Sequence, residues 1–181
     1  MFEPNYLDMN CDILKKIKQI TWAELLLLED IRMGDDIWSL MSSLKWLRRS
    51  WYADNINDKV IYIDIAMEFM IDGEKVAPIY KDETMEQIKQ KLNEIKCHNI
   101  NRILSLIKEP SFNMKLHSMI DRLKIQVSEN DLILLERIRD ERNEIIHGRR
   151  ECDMDELEIA LANNIVCMMV IKKLYSLRDY Q

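Results

Sequence analysis

Residues 55–78 read NINDKVIYIDIAMEFMIDGEKVAP, and the fold class turns on them. Val60, Ile61 and Ile63 suit a strand, because β-branched side chains pack well on a pleated surface. Ile61, Ile65, Glu68 and Phe69 instead follow helical spacing. A strand needs partners, and no other segment of the chain offers one. The segment is therefore predicted as a helix ending near Gly73.

The chain on either side points the same way. Three glycines and three prolines in 181 residues leave few breakers, which favours long helices. Upstream, Leu7, Ile13, Leu14, Ile17 and Ile20 keep helical spacing, so residues 1–20 are read as a helical N-terminal extension. Residues 21–52, TWAELLLLEDIRMGDDIWSLMSSLKWLRRSWY, are predicted as one long helix or two interrupted near Gly34. Downstream, residues 81–110 are predicted as one amphipathic helix with a stripe of Met85, Ile88, Leu92, Ile95, Ile103, Leu104 and Ile107, closed by Pro110. Residues 111–125 give a shorter helix. The segment from Ser128 opens with Asp131 three residues on, close to a capping box, and stops near Gly148. The last segment opens Asp153-x-x-Glu156, another cap-like start. Its Lys172, Lys173 and Arg178 suit the C-terminal end of the helix dipole. With no repeat or linker, the expectation is one all-α domain over residues 1–181, an antiparallel helical bundle.

Composition narrows the function classes. The chain is 48% hydrophobic and 32% charged, which is globular. A net charge of −6 excludes a broadly basic nucleic-acid wrapper but leaves room for a local phosphate site. Cys11, Cys97, Cys152 and Cys167 form no CxxC pair, so they are read as small buried or half-buried thiols in a reducing cytosol. The opening MFEPNYLDMN lacks a basic start and an apolar core, and acids interrupt the apolar run LLLLEDI. The expectation is a cytoplasmic chain with no membrane span.

The residues that carry chemistry lie in RDERNEIIHGRRE, 139–151. Successive helical residues rotate by about 100°, which places Arg142 inside the arc of Leu134, Leu135, Ile138, Ile145 and Ile146. A guanidinium facing a dry core is costly unless paired. Three escapes exist: a buried acid such as Glu68 or Glu141, a snorkelling side chain, or a cleft or subunit interface where an anion binds. Asn143 and His147 share a face one turn apart. Gly148 can end the helix and free the imidazole from strict helical geometry. His98 and His117 have no such setting. Trp22, Trp38, Trp46 and Trp51 are read as core or interface anchors.

Arg142-Asn143-Glu144-Ile145-Ile146-His147 resembles the signature of the HEPN domain family (higher eukaryotes and prokaryotes nucleotide-binding): an arginine, a polar residue, and a histidine after a short gap. The setting agrees, because the motif lies late in an all-helical chain, before a final long helix. Some toxin members carry a tyrosine two residues after the histidine, where this chain has Arg149. The resemblance implies a metal-independent endoribonuclease without a cofactor, of toxin or phage-defence type. In that chemistry the ribose 2′-hydroxyl attacks the adjacent phosphate and leaves a 2′,3′-cyclic phosphate and a 5′-hydroxyl.

The side chains suit that chemistry. Histidine moves protons near neutral pH. Arginine clamps a phosphorane with forked donors. Asparagine orients an imidazole or a phosphate oxygen. Arg149 and Arg150 are candidate contacts to flanking phosphates. One motif supplies one histidine, whereas the reaction benefits from a base and an acid. A two-fold homodimer brings two copies of Arg142 and His147 to one cleft. The expected partners are RNA or a nucleotide, a second copy of the chain, and an antitoxin protein. The alternative expectation is a non-catalytic helical module that binds nucleotide, RNA or protein.

Overall fold

The computed structural model of the chain describes residues 35–77 and 79–178. Every regular element among them is an α-helix: α1 (Asp35–Tyr52), α2 (Ile56–Met70), α3 (Asp82–Glu94), α4 (Ile100–Lys108), α5 (Phe112–Leu123), α6 (Glu129–Ile146) and α7 (Glu156–Arg178). The expected extension over residues 1–20, the break near Gly34, Cys11 and Trp22 lie outside the described residues. Contacts gather the described residues from Ser39 onward into one compact unit. The helical packing and the candidate site belong to this unit. Among the described residues, no helix is long and apolar enough to cross a membrane.

The segment that decides the fold is helical, as predicted. Asn55 caps α2 by accepting the Asn57 N–H at 2.7 Å, which satisfies one of the orphan donors of the first turn. Val60, Ile63, Met67 and Met70 are fully buried. Their spacing of three and four residues is one helix face. α2 is the central helix and packs against both α6 and α7.

Side-chain bonds give the direction of each neighbour. Ser39 Oγ donates to Asp72 Oδ2 at 3.0 Å and Ser43 Oγ to the Ala66 carbonyl at 2.8 Å, so α1 runs against α2. Arg142 reaches Asp64, while Arg139 reaches both Asp64 and Glu68, so α6 also runs against α2. Arg137 pairs with Glu158, which folds α7 back on α6. Lys59 meets Glu156 at 2.6 Å near the starts of α2 and α7. Lys173 meets the Met70 carbonyl at 2.8 Å near their ends, so these two helices run parallel. Thus α1, α2, α6 and α7 alternate in direction, as in an antiparallel bundle.

Four sequence expectations need correction. Residues 81–110 form two helices, not one. Lys96 and Asn99 fall at the centre of the proposed stripe, where no apolar residue anchors the chain. Both take left-handed backbone, φ 53° and 61°: Lys96 follows the C-cap of α3, where that conformation ends a helix, and Asn99 is the N-cap of α4.

The start of α7 is capped two residues later than expected. Asp155 Oδ1 accepts the Glu158 N–H at 2.8 Å and Glu158 Oε2 accepts the Asp155 N–H at 3.1 Å. Asp153 is engaged elsewhere, its amide by Glu141 and its carbonyl by Arg137. The predicted box at α6 is present, with Ser128 Oγ and Asp131 each accepting the other's N–H.

Lys173 does not serve its own helix end. It is buried and donates to the carbonyls of Met70 and Asp72, where α2 ends. It also pairs with the nearly buried Glu74 at 2.9 Å.

Trp38 and Trp51 are exposed rather than core, while Trp46 stacks on Tyr62 with ring centroids 5.3 Å apart. The expected thiol environments are found: Cys167 is buried, and Cys97 and Cys152 are half-buried.

Candidate functional site

α6 carries the motif. Leu134, Leu135 and Ile138 are buried, as the arc requires, whereas Ile146 at the helix end is exposed. Arg142 leans from this face onto α2. Its Nε lies 3.2 Å from Asp64 Oδ2, and its Nη1 donates to Asn143 Oδ1 at 3.0 Å. Arg139 Nη1 donates to the other Asp64 oxygen at 3.2 Å, and its guanidinium stacks 4.0 Å over the Phe112 ring. Of the three escapes open to Arg142, a buried acid is in use. The acid is Asp64, neither Glu68 nor Glu141.

The pairing is close but incompletely aligned. Asp64 Oδ2 and Arg142 Nε are both buried and make no directed hydrogen bond, so their attraction is that of charge alone. Asp64 has no accessible surface. Burial pushes its carboxyl up to about 6, against the lowering effect of Arg139, with Glu68 adding to the rise and Arg142 opposing it. Desolvation outweighs the two cations because a carboxylate stripped of water loses more than imperfectly aimed partners return. The Arg142 side chain keeps 29% of its surface exposed, so the α6 face is not sealed.

His147 is the C-cap residue of α6 and is exposed. Its N–H donates to the Asn143 carbonyl at 3.1 Å. Gly148 follows at φ 63°. The Gly148 N–H reaches the Ile145 carbonyl and the Arg149 N–H reaches the Glu144 carbonyl, each at 3.0 Å. These two bonds make a Schellman motif, in which glycine takes the left-handed position at least cost. Among the described residues, no hydrogen bond or ion pair joins the imidazole to Arg142 or Asn143.

The two following arginines have carboxylate partners. Arg149 pairs with Glu144 at 2.8 Å on the exposed surface. Arg150 grips Glu141 with two bonds, of 2.6 and 2.8 Å. Glu141 is buried and also accepts the Asp153 N–H at 3.0 Å. Burial raises its carboxyl, but the bonds from Arg150 and the Asp153 amide outweigh that and hold it below the ordinary range. The Cys152 N–H reaches Asn57 Oδ1 on α2 at 2.9 Å. The segment after His147 is thus pinned to both α6 and α2.

The structure therefore brings Arg142 and Asn143 together, places His147 at the solvent end of the same helix, and engages Arg149 and Arg150 with acids. Sequence reasoning missed Asp64. The available signal was its position as the one charged residue in the run VIYIDIAM, residues 60–67. Among the described residues, no group of three or more His, Cys, Asp or Glu side chains is gathered to hold a metal ion. No protein-family model, curated protein or solved structure matches the chain.

Proposed function

We propose that the chain is a HEPN-type endoribonuclease that cleaves RNA through 2′-hydroxyl attack without a metal ion. One observation carries the reading: Arg142 and Asn143 are joined on a partly open face of α6, and His147 is exposed at the end of that helix. In this mechanism the His147 imidazole accepts the 2′-hydroxyl proton and the 2′-oxygen bonds to phosphorus. The bond from phosphorus to the 5′-oxygen breaks, and that oxygen takes a proton from the second copy's histidine. Arg142 holds the non-bridging oxygens. Asp64 and Asn143 engage its Nε and Nη1, which leaves the Nη2 edge for phosphate. Arg149, on the exposed surface, contacts the flanking chain, while Arg150 chiefly holds Glu141.

A homodimer completes the proposed site. Leu157, Leu161, Met168 and Tyr175 of α7 are exposed, and helical rotation puts them on one face. A two-fold contact centred on the Leu157 end of this stripe, beside the α6–α7 connection, would bring the two His147 side chains to one cleft. In this reading the protein is a cytoplasmic toxin or antiviral effector, restrained by an antitoxin.

A second reading, a non-catalytic module that binds RNA, nucleotide or protein, is favoured by the lack, among the described residues, of a hydrogen bond joining the imidazole to Arg142. Incubation of single-stranded RNA with the protein in EDTA decides between them. Fragments ending in 2′,3′-cyclic phosphate, lost in Arg142→Ala and His147→Ala, support the enzyme. Binding without cleavage supports the module.

A further inference from the structure

Away from the motif, the last turns of α1 and the start of α2 enclose an open concavity of about 530 Å³. Lys45, Arg48, Arg49, Tyr52, Asp54, Asp58 and Tyr62 line it. Arg49 lies 4.4 Å over the Trp46 ring, and Trp46 stacks in turn on Tyr62. Arg48 lies 6.0 Å from the centre of the Tyr52 ring, which is 74% exposed. Among the described residues, no ion pair engages Lys45, Arg48 or Arg49. Two acids share the hollow, but Asp58 sits in the first turn of α2, where the helix dipole holds a negative charge.

We propose that this concavity binds single-stranded nucleic acid, through its phosphodiester backbone and unstacked bases. Guanidinium planes layered on aromatic rings present flat faces to bases while their N–H edges remain free for phosphate. An open hollow suits a chain that passes through it, whereas small molecules favour enclosed, mostly apolar pockets. Three cations outnumber the two acids of the hollow, a local positive excess in a chain of net charge −6, which is the sign a phosphodiester strand requires. The inference does not rest on cleavage, because none of these residues belongs to the Arg142–His147 motif.

The test uses the full chain carrying His147→Ala, so that a bound strand stays intact, with a labelled oligouridylate followed by anisotropy. Lys45→Ala with Arg48→Ala should weaken binding at least about tenfold and lower the salt slope by about 1.4, from roughly 0.7 per lost phosphate contact. Neither side chain stacks on Trp46, so the fold should persist. Tyr52→Ala should weaken binding roughly fivefold or more by removing a stacking face. Oligothymidylate separates the sources: equal affinity points to single strands in general, tighter oligouridylate to RNA. As a measurement on the unaltered hollow, oligouridylate should protect Lys45 from acetylation. Unchanged affinity in the double variant, or an unprotected Lys45, overturns the proposal. Binding retained in motif variants that have lost cleavage supports a site separate from the motif, whatever becomes of the nuclease reading.

Discussion

Arg142 Nε stands 3.2 Å from Asp64 Oδ2, where α6 crosses α2. This contact explains why an arginine occupies an apolar stripe: the facing helix carries an acid at the matching level. Asp64 gives its other oxygen to Arg139, and Arg139 also lies 3.5 Å from Glu68. The motif arginine is therefore oriented by the core and not by solvent.

Asp64→Asn should change how stability depends on pH. The folded carboxyl is raised from 3.8 to about 6, so between those values the folded state holds a proton that the unfolded chain releases. Stability from this group is present at low pH and falls as pH rises through about 6. Thermal melting from about pH 4 to 7 should show that decline in the wild type and a flatter curve in the variant. Parallel curves would refute the assignment.

Glu141 titrates with the opposite sign. Its carboxyl is held below 4.5, so its stabilisation is present above that value and is lost as pH falls. Glu141→Ala leaves the Asp153 amide and Arg150 without their acceptor and should cost about 1–3 kcal/mol at neutral pH in urea unfolding. Arg150→Ala should also destabilise. An Arg150→Ala protein as stable as wild type would show that the Arg150–Glu141 pair does not hold this segment in place.

Gly148→Ala tests the helix end. A Cβ there meets nothing within 4 Å, so the cost is conformational, about 1–2 kcal/mol for a left-handed alanine. Asparagine, which tolerates that conformation, should cost less. Equal stability of all three proteins would mean that the Schellman turn does not persist in solution.

The two motif residues should separate in their effects. His147 is exposed, so His147→Ala should leave the melting temperature within error while reducing RNA cleavage by about 10²–10⁴-fold. Arg142→Ala should lower both, because Asp64 then keeps only Arg139. Cleavage that survives both substitutions comes from a contaminant.

Local patterns in the sequence determined much of the fold. Breaker scarcity and spacing fixed the all-α class, the helical state of residues 56–70 and the Ser128–Asp131 box, because caps and amphipathic stripes are built from neighbours in the chain. The break between α3 and α4 was written in Lys96 and Asn99 but was hidden by apolar residues flanking it in phase. The motif, too, was legible as a pattern. Its partners were not. Asp64 meets Arg142, and Lys173 meets Met70, Asp72 and Glu74, across distant parts of the chain. A buried charge needs an opposite charge or polar group brought close in space. Spacing along one helix tells which way a charge points, and only the packing of helices decides what it finds there.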